Sequence, residues 1–352
     1  MIALTSWLLS STANAGEEAT FWMPPQASTF AADVDFTFYF IYWIIVIFFF
    51  GLMGGMIFLA IHFRKRSDDD RTLDLKGNHT VELIWGVFPS FLLMAMFVLG
   101  FNAYMKQSIP PADSMEVRVT AQKWRWTFEY PDLGIDGEPV LVVPRGQAVR
   151  LTMTSKDVLH SFFVPDFRIK KDVVPGRFTV IWFQADDIIE PRPDMGRGPN
   201  DDGDMVDGLR LGEHQVFCTE YCGTDHSRMY SRVRVVSPED FDAWAQAKMN
   251  RNPGDFTSAE NGEYYFKKYG CNGCHSTDGS KMVGPTFQGL YGKNEPLAGG
   301  GSVTVDDNYI NESIMVPGEK IVAGYSNQMP TFQGQIDADK VTDIIEFIKS
   351  LQ

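Results

Sequence analysis

Two long uncharged stretches lie in the N-terminal part of the chain. The first runs from Phe36 to Phe63 and the second from Leu83 to Met105, and neither contains Asp, Glu, Lys or Arg. A transmembrane helix needs about 20 predominantly apolar residues, and buried helices of soluble proteins are seldom uncharged for so long. The pattern therefore predicts two membrane-spanning helices. Pro89 in the second stretch is consistent with this prediction, since membrane helices tolerate a proline.

Beyond Met105 the period of the pattern changes. The run from Met115 to Tyr130 alternates apolar and polar residues, which is typical of a half-buried strand. Further short β-rich runs, separated by Gly and Pro, lie at 139–143, 148–153, 178–183, 214–217 and 230–236. The pattern predicts a small all-β sandwich or barrel over residues 107–250.

Helical periodicity returns toward the C-terminus. A short helix is predicted at Glu239–Met249, followed by a linker around Arg251–Asp255 and a second helix from Ser258. One apolar helix face is formed near the end of the chain by Val341, Ile344, Ile345, Ile348 and Leu351. We therefore expect a separate, small, helical domain over residues 256–352.

Charged residues around the uncharged stretches predict the topology. The intervening loop carries Arg64, Lys65, Arg66, Arg71 and Lys76. Lys and Arg beside membrane helices favour the cytoplasmic side, so both termini of the 16–106 region are expected on the outer side. Residues 1–15 resemble a secretory signal peptide with a small-residue site at Ala13–Ala15, although the positive n-region is missing. The alternative is a retained leader.

Composition narrows the class of partner. The chain has 31 basic and 45 acidic residues, a net charge of −14, which argues against a nucleic-acid partner and is compatible with docking a basic protein. Four cysteines are too few for a disulfide scaffold in a chain of 352 residues. Of the histidines outside the two motifs described next, we expect His62, His79 and His214 to have solvated or structural roles.

Two of the cysteines form Cys271-Asn-Gly-Cys274-His275, the attachment signature of a c-type haem. The thiols add to the haem vinyl groups, and the adjacent histidine reaches the iron. Met329 is the expected second axial ligand, with Met282 and Met315 as competitors, since methionine paired with histidine raises the reduction potential. A disulfide or a redox-active cysteine pair is the alternative.

The other two cysteines lie in Cys218-Thr-Glu-Tyr-Cys222-Gly-Thr-Asp-His226-Ser-Arg-Met229. Two thiolates followed closely by His and Met are soft ligands that favour copper over zinc. With His160 from an earlier β-rich run, they fit two copper ions bridged by both thiolates. His160 and His226 would be terminal ligands, and Met229 and the Glu220 carbonyl would be weak ones. A Cys218–Cys222 disulfide is the alternative.

These residues resemble subunit II of a haem-copper cytochrome c oxidase with a cytochrome c domain fused at its C-terminus (caa-type). The resemblance covers nearly everything after about Phe21. It is carried by Met23–Ser28, Glu82–Trp85, Trp124–Tyr130, Asp157–Ser161, Pro175–Arg177 and Cys218–Met229, the last of which matches the family's copper loop in every ligand and spacing.

The resemblance implies a multidomain membrane protein with a two-helix transmembrane hairpin, an all-β cupredoxin-like domain and an all-α class I cytochrome c domain. The implied cofactors are a binuclear copper centre (CuA), covalent haem c and a magnesium ion shared with subunit I, which the Glu220 carboxylate would face. Trp124 would be the electron entry residue beside the copper, or a packing residue. Glu82 would lie at the mouth of a proton pathway, or be an acid favoured at a helix N-terminus.

The implied function is electron transfer in a terminal oxidase of the bacterial inner membrane. Electrons would pass from a cytochrome c or quinol-oxidising donor through haem c and CuA to subunit I, where oxygen is reduced to water and protons are pumped. The other partners would be further oxidase subunits and membrane lipid, with both redox domains on the periplasmic side. The alternatives are a CuA subunit of a nitrous-oxide or nitric-oxide reductase, or a membrane-anchored copper-delivery or thiol-redox assembly protein.

One segment departs from the family pattern. Residues 186–207 form a longer connection than usual and hold eight acidic residues. We expect a solvated insertion, or a surface that docks a partner or the fused domain.

Overall fold

The computed structural model describes residues 19–67, 69, 71, 77–200 and 204–352. The leader expected at 1–15 and Lys76 of the loop lie outside the described residues. Two long helices follow the N-terminal segment, α1 (Ala31–His62) and α2 (His79–Ser108), and both are long and apolar enough to cross a membrane. Each extends beyond its uncharged stretch, because polar residues continue the helices outside the apolar windows. Asn78 caps α2 by accepting hydrogen bonds from the backbone N–H groups of Thr80 and Val81.

The region after α2 begins with a β-sandwich of two five-stranded sheets. The strands of this region are β1 (Met115–Gln122), β2 (Arg125–Tyr130), β3 (Ile135–Glu138), β4 (Leu141–Pro144), β5 (Ala148–Ser155), β6 (His160–Val164), β7 (Ile169–Val173), β8 (Thr179–Gln184), β9 (Arg192–Pro199), β10 (Met205–Leu209), β11 (Glu213–Cys218) and β12 (Tyr230–Val236). Strands β9 and β10 form a separate two-stranded sheet. One sheet has the order β3-β2-β1-β5-β8 and the other β4-β12-β11-β6-β7. Alternate residues such as Val117, Phe128, Leu151 and Phe162 are fully buried between the sheets.

The alternating run from Met115 to Tyr130 is two strands and not one, so that part of the sequence prediction is wrong. Strands β1 and β2 pair antiparallel, and Gln122 pairs with Arg125 across a two-residue turn made of Lys123 and Trp124. A two-residue turn preserves the period of two, so the sequence alternates straight through it.

The acidic segment 186–207 contains the antiparallel hairpin β9–β10. It is attached to the sandwich through Arg192, which bonds the Asp166 carboxylate. The same carboxylate contacts His214 Nδ1 at 2.8 Å, and His214 is fully buried. His214 therefore has a structural role, which is one of the two roles expected from the sequence, and it is not solvated.

The C-terminal region contains α3 (Pro238–Met249), α4 (Ser258–Lys268), a ribbon of β13 (Asn294–Pro296) and β14 (Ser302–Thr304), α5 (Asp307–Met315) and α6 (Ala338–Ser350). Helix α4 begins with a capping box between Thr257 and Glu260. It packs closely on α6, since a Cβ at Gly262 would lie 1.9 Å from the Asp343 carbonyl oxygen. From α4 onward this region has a core of its own, whereas Phe241 and Ala245 of α3 are buried in the core of the sandwich. The ribbon is a small addition to the helical fold.

The sandwich is fixed to the helical hairpin by buried polar contacts. Arg168 Nε lies 2.7 Å from Asp35 Oδ1 of α1, and both side chains are almost fully buried. Trp182 Nε1 donates to the Lys106 carbonyl of α2 at 3.0 Å. The sandwich therefore has a defined orientation on the two helices.

Candidate functional site

Strand pairing brings the first soft-ligand cluster together. His160 is the first residue of β6 and Cys218 is the last residue of β11. These strands are antiparallel neighbours, with Cys218 paired to Phe162, so the two ligand residues lie at one end of the sheet. The loop from β11 to β12 then returns past this end and carries Cys222, His226 and Met229.

All six predicted ligands of this cluster converge, which the spacing in the sequence alone could not show. The Sγ atoms of the two cysteines are 3.9 Å apart. Cys218 Sγ lies 3.8 Å from His160 Nδ1 and 3.3 Å from the Glu220 carbonyl oxygen. Cys222 Sγ lies 3.4 Å from His226 Nδ1 and 3.8 Å from Met229 Sδ. Each sulfur therefore has a histidine nitrogen and one weaker donor beside it.

The donor set fits two thiolate-bridged soft metal ions. Both cysteines are free and buried, and their sulfurs are too far apart for a disulfide. Ligand atoms of His160, Cys218 and Cys222 lie within 4.8 Å of one another. Thiolate, imidazole and thioether are the donors that copper prefers.

Asp157 orients the His160 ring and was not singled out from the sequence. Its Oδ1 lies 2.8 Å from His160 Nε2, and its Oδ2 accepts from the Lys123 backbone N–H at 2.7 Å. Burial raises the pKa of Asp157, but hydrogen bonds from His160 and the backbone outweigh it and hold the pKa below its ordinary value. A carboxylate on Nε2 leaves Nδ1 free to face the sulfurs.

The pKa values of the two thiols are shifted in opposite directions. Burial raises the pKa of Cys218, but its bonds to His160 and to backbone groups outweigh this and lower the pKa overall. Burial and the neighbouring Cys218 raise the pKa of Cys222 to about 12. Metal binding at Cys222 therefore has to displace a firmly held proton.

Trp124 lies against this loop. A Cβ at Gly223 would be 3.1 Å from Trp124 Cζ2, and Gly223 has a φ of +122°, so both space and backbone favour glycine there. Trp124 also packs partly against the sandwich core. Both roles expected for Trp124 are compatible with this position. The Glu220 side chain is exposed while its carbonyl faces Cys218.

The second motif lies at the end of α4. His275 Nδ1 donates to the Pro285 carbonyl at 2.7 Å, since a carbonyl can only accept, and this leaves Nε2 as a free ligand atom. A Cβ at Gly284 would be 2.5 Å from the ring, so the glycine admits the histidine. Burial lowers the pKa of His275, which keeps the imidazole neutral as a metal ligand must be. Burial also raises the pKa of Cys271 and of Cys274 to about 11 each.

The remaining predicted site residues are more dispersed. Met329 packs against the core that contains Cys271, which is compatible with an axial position, but Met315 packs there too. The choice of Met329 stays a prediction. Glu82 lies in the first turn of α2, 3.4 Å from His79, and is not near either cluster.

Comparison with protein families gives three consecutive matches. Residues 16–103 match the transmembrane domain of cytochrome c oxidase subunit II, and residues 133–188 match the periplasmic domain of the same subunit. Residues 259–352 match cytochrome c.

Curated relatives agree with these matches. The chain is 28% identical over 305 residues to cytochrome c oxidase subunit 2 of Alkalihalophilus pseudofirmus, which covers 84% of this chain and 80% of the relative. It is 30% identical over 226 residues to cytochrome c oxidase subunit 2 of Bacillus sp. strain PS3, covering 61% of this chain and 58% of that relative, less than two thirds of its length.

Two solved structures resemble parts of the chain. The periplasmic domain of cytochrome oxidase subunit II of Bradyrhizobium japonicum is 25% identical, with a TM-score of 0.32, and 40% of this chain covers 96% of it. A chain of a heme-copper terminal oxidase dimer is 20% identical, with a TM-score of 0.33, and 44% of this chain covers 99% of it.

Proposed function

Because the chain belongs to the cytochrome c oxidase subunit II family and carries a C-terminal cytochrome c domain, we propose that it carries electrons from an external donor to a catalytic oxidase subunit. It is a membrane protein and a component of an oxidoreductase complex. The proposed acceptor is subunit I, where oxygen is reduced to water and protons are pumped. One electron lost at the C-terminal site is one electron gained at the thiolate site.

The chain's own residues hold and orient the redox centres. A covalent haem c and two copper ions would supply one-electron redox chemistry. Cys271, Cys274 and His275 would hold the haem, with Met329 as a further ligand. His160, Cys218, Cys222, His226, Met229 and the Glu220 carbonyl would hold the copper. Asp157 fixes the His160 ring, and burial of both cysteines excludes water from the bridge.

The convergence of four donors on two free sulfurs 3.9 Å apart is the observation that carries this proposal. A copper-delivery protein needs an exchangeable site, whereas both sulfurs of this site are buried. Trp124, packed on that loop at Gly223, is proposed as the residue through which electrons reach the copper.

Orientation and the remaining partners belong to the same proposal. The basic residues that follow α1 support a cytoplasmic position of the hairpin loop, which would put both redox domains on the periplasmic side of the bacterial inner membrane. The donor is a cytochrome c or a quinol-oxidising complex. The exposed Glu220 carboxylate would face a magnesium ion shared with subunit I. Glu82, in the first turn of α2, would open a proton pathway on the cytoplasmic side.

The test is metal analysis with EPR spectroscopy on the purified full-length protein and on Cys218→Ser. We expect two coppers per chain and a signal from one electron shared over both in the parent. The variant should lose that signal, because a hydroxyl is a poor soft bridge.

Thr219→Ser is the matched control, since it changes a neighbouring residue of the same loop that contributes no proposed ligand. It should keep the parent spectrum. A single zinc in the parent, or a Cys218–Cys222 disulfide in the active complex, would refute the copper assignment. Purification with a nitrous-oxide or nitric-oxide reductase would refute the assignment to an oxygen-reducing complex.

A further inference from the structure

The turn between β1 and β2 touches both redox regions. Trp124 faces the loop that carries Cys222 and His226, while the next residue, Arg125, points at the C-terminal domain. The Arg125 guanidinium lies 5.2 Å above the ring of Phe332 and donates from Nη2 to Gln122 Oε1 at 3.1 Å. Trp124 and Arg125, which are adjacent in the sequence, therefore contact two different domains.

Arg125 is inserted beside the haem attachment motif. A Cβ at Gly270, the residue before Cys271, would lie 2.6 Å from Arg125 Cδ and 3.1 Å from Nη1. Burial lowers the pKa of Arg125, and the nearby Cys271 and Cys274 raise it, so the guanidinium is close enough to both sulfurs for a charge interaction. The charges of Asp225 and Arg228, which flank the proposed copper ligand His226, act on the pKa of Cys274. Cys274 therefore lies within electrostatic range of the copper loop.

The other polar contacts between the two domains are more exposed. They are Lys268 Nζ to Asp136 Oδ1 at 2.7 Å, Lys267 Nζ to Asp204 Oδ2 at 3.2 Å and Lys156 Nζ to Gln335 Oε1 at 2.6 Å. The Asp136 and Asp204 side chains are 68% and 50% exposed, so solvent and salt screen both ion pairs. Arg125 is the better candidate for what fixes the position, because its guanidinium is partly buried and faces an aromatic ring.

We propose that Arg125 is a positioning residue that holds the C-terminal domain on the copper loop and keeps a positive charge beside the haem attachment motif. The proposal rests on the proposed function, because it assumes haem at Cys271 and Cys274. In the haem-loaded protein those sulfurs would be uncharged thioethers, so they would not offset the charge of the guanidinium. A nearby positive charge favours the reduced form of a redox centre, since reduction adds an electron.

Arg125→Gln in the full-length, haem-loaded protein tests the proposal by two measurements. Spectroelectrochemical titration should show a downward shift of the haem midpoint potential. Hydrogen exchange of residues 269–275 and 331–335 should be faster than in the parent, because the domain is no longer held. Arg125→Lys should restore much of the potential, because the charge is kept, while exchange stays faster, because a lysine lacks the planar contact with Phe332.

Arg118→Gln is the matched control. It removes an arginine from the same hairpin, where Arg118 pairs with the exposed Glu129 away from the C-terminal domain. It should leave both measurements unchanged. Phe332→Leu is a second route if Arg125→Gln does not fold, and it should raise exchange at 269–275 with the guanidinium charge retained.

A potential and an exchange rate in Arg125→Gln equal to those of the parent would overturn the inference. The copper signal separates this failure from failure of the proposed function. Arg125→Gln should keep the parent EPR spectrum, since Arg125 is not a copper ligand. A parent protein without haem or without the two-copper signal would instead refute the function on which the inference rests.

Discussion

Asp157 shows how a residue that binds no metal shapes a metal site. It bonds the His160 ring through one carboxylate oxygen and the backbone of the Lys123–Trp124 turn through the other. The carboxylate therefore couples a proposed copper ligand to the turn that carries Trp124 and Arg125. A shift of that turn would therefore be transmitted to the His160 ring through the two hydrogen bonds of Asp157.

Asp157→Ala should weaken copper binding by about 10- to 100-fold, because the His160 ring loses its orienting partner. Competition with a copper chelator measures the affinity, and the exposed Asp132→Asn is the control with the same loss of one acidic group. Equal affinities in Asp157→Ala and the parent would show that the strand alone fixes the ring.

The ligand residues were predictable from the sequence and their supporting residues were not. Cys218, Cys222, His226 and Met229 lie within one short segment, where the spacing itself indicates a shared site. Asp157 could have been suspected only from its position three residues before His160. Arg125 gave no signal, because its importance comes from contact with Gly270 and Phe332, which are distant in the sequence.

At the scale of elements, the attachment of α1 to the sandwich shows how burial determines what an ion pair contributes to stability. The Asp35–Arg168 pair leaves its side chains 8% and 6% exposed, whereas Asp33 and its partner Lys106 are about half exposed. Both acids lie in the first turns of the same helix. They therefore form a natural comparison of a buried and an exposed ion pair.

Asp35→Asn should lower the free energy of unfolding by about 3 kcal/mol, because Arg168 is left buried with an uncompensated charge. Asp33→Asn, the control, should lower it by less than about 1 kcal/mol. Denaturant titration of the purified protein in detergent, followed by tryptophan fluorescence, gives both values. Similar losses in the two variants would contradict the argument from burial.

Element boundaries could be predicted from the sequence where an apolar pattern continues over many residues. They could not be predicted where a turn preserves the pattern of the strands on either side. The two membrane helices and α6 follow directly from their apolar patterns. The β1–β2 turn was hidden because the alternation continues through Lys123 and Trp124. The hairpin β9–β10 was hidden by its charges, which suggest a solvated loop, although Arg192 anchors it through buried Asp166.

For the whole molecule, the fusion makes the encounter of the two redox sites intramolecular. Only residues 250–257 separate α3 from α4, and the domains already touch through the contacts around Arg125. Electron transfer between the sites should therefore proceed at a rate independent of protein concentration.

The double variant Cys271→Ser with Cys274→Ser should lose covalent haem and accept electrons from the native donor more slowly, while the copper EPR signal stays intact. The two ligand sets share no residue, so the copper site has no reason to change. Stopped-flow measurements at several protein concentrations give the rate of reduction by the donor and show whether transfer between the two sites depends on protein concentration. Unchanged reduction by the donor would mean that the donor reaches the copper loop directly, past Trp124.

Helix α1 has a further consequence that follows from its length. Its 32 residues extend about 48 Å, while the hydrocarbon core of a bilayer is about 30 Å thick. The surplus lets α1 extend beyond the hydrocarbon core, and the Asp35–Arg168 pair joins its N-terminal end to the sandwich. Thicker or thinner lipid would tilt the helix or shift its depth. The sandwich and the C-terminal domain both follow the Asp35–Arg168 attachment, so they would move together. The distance between their redox sites would then not depend on the thickness of the membrane.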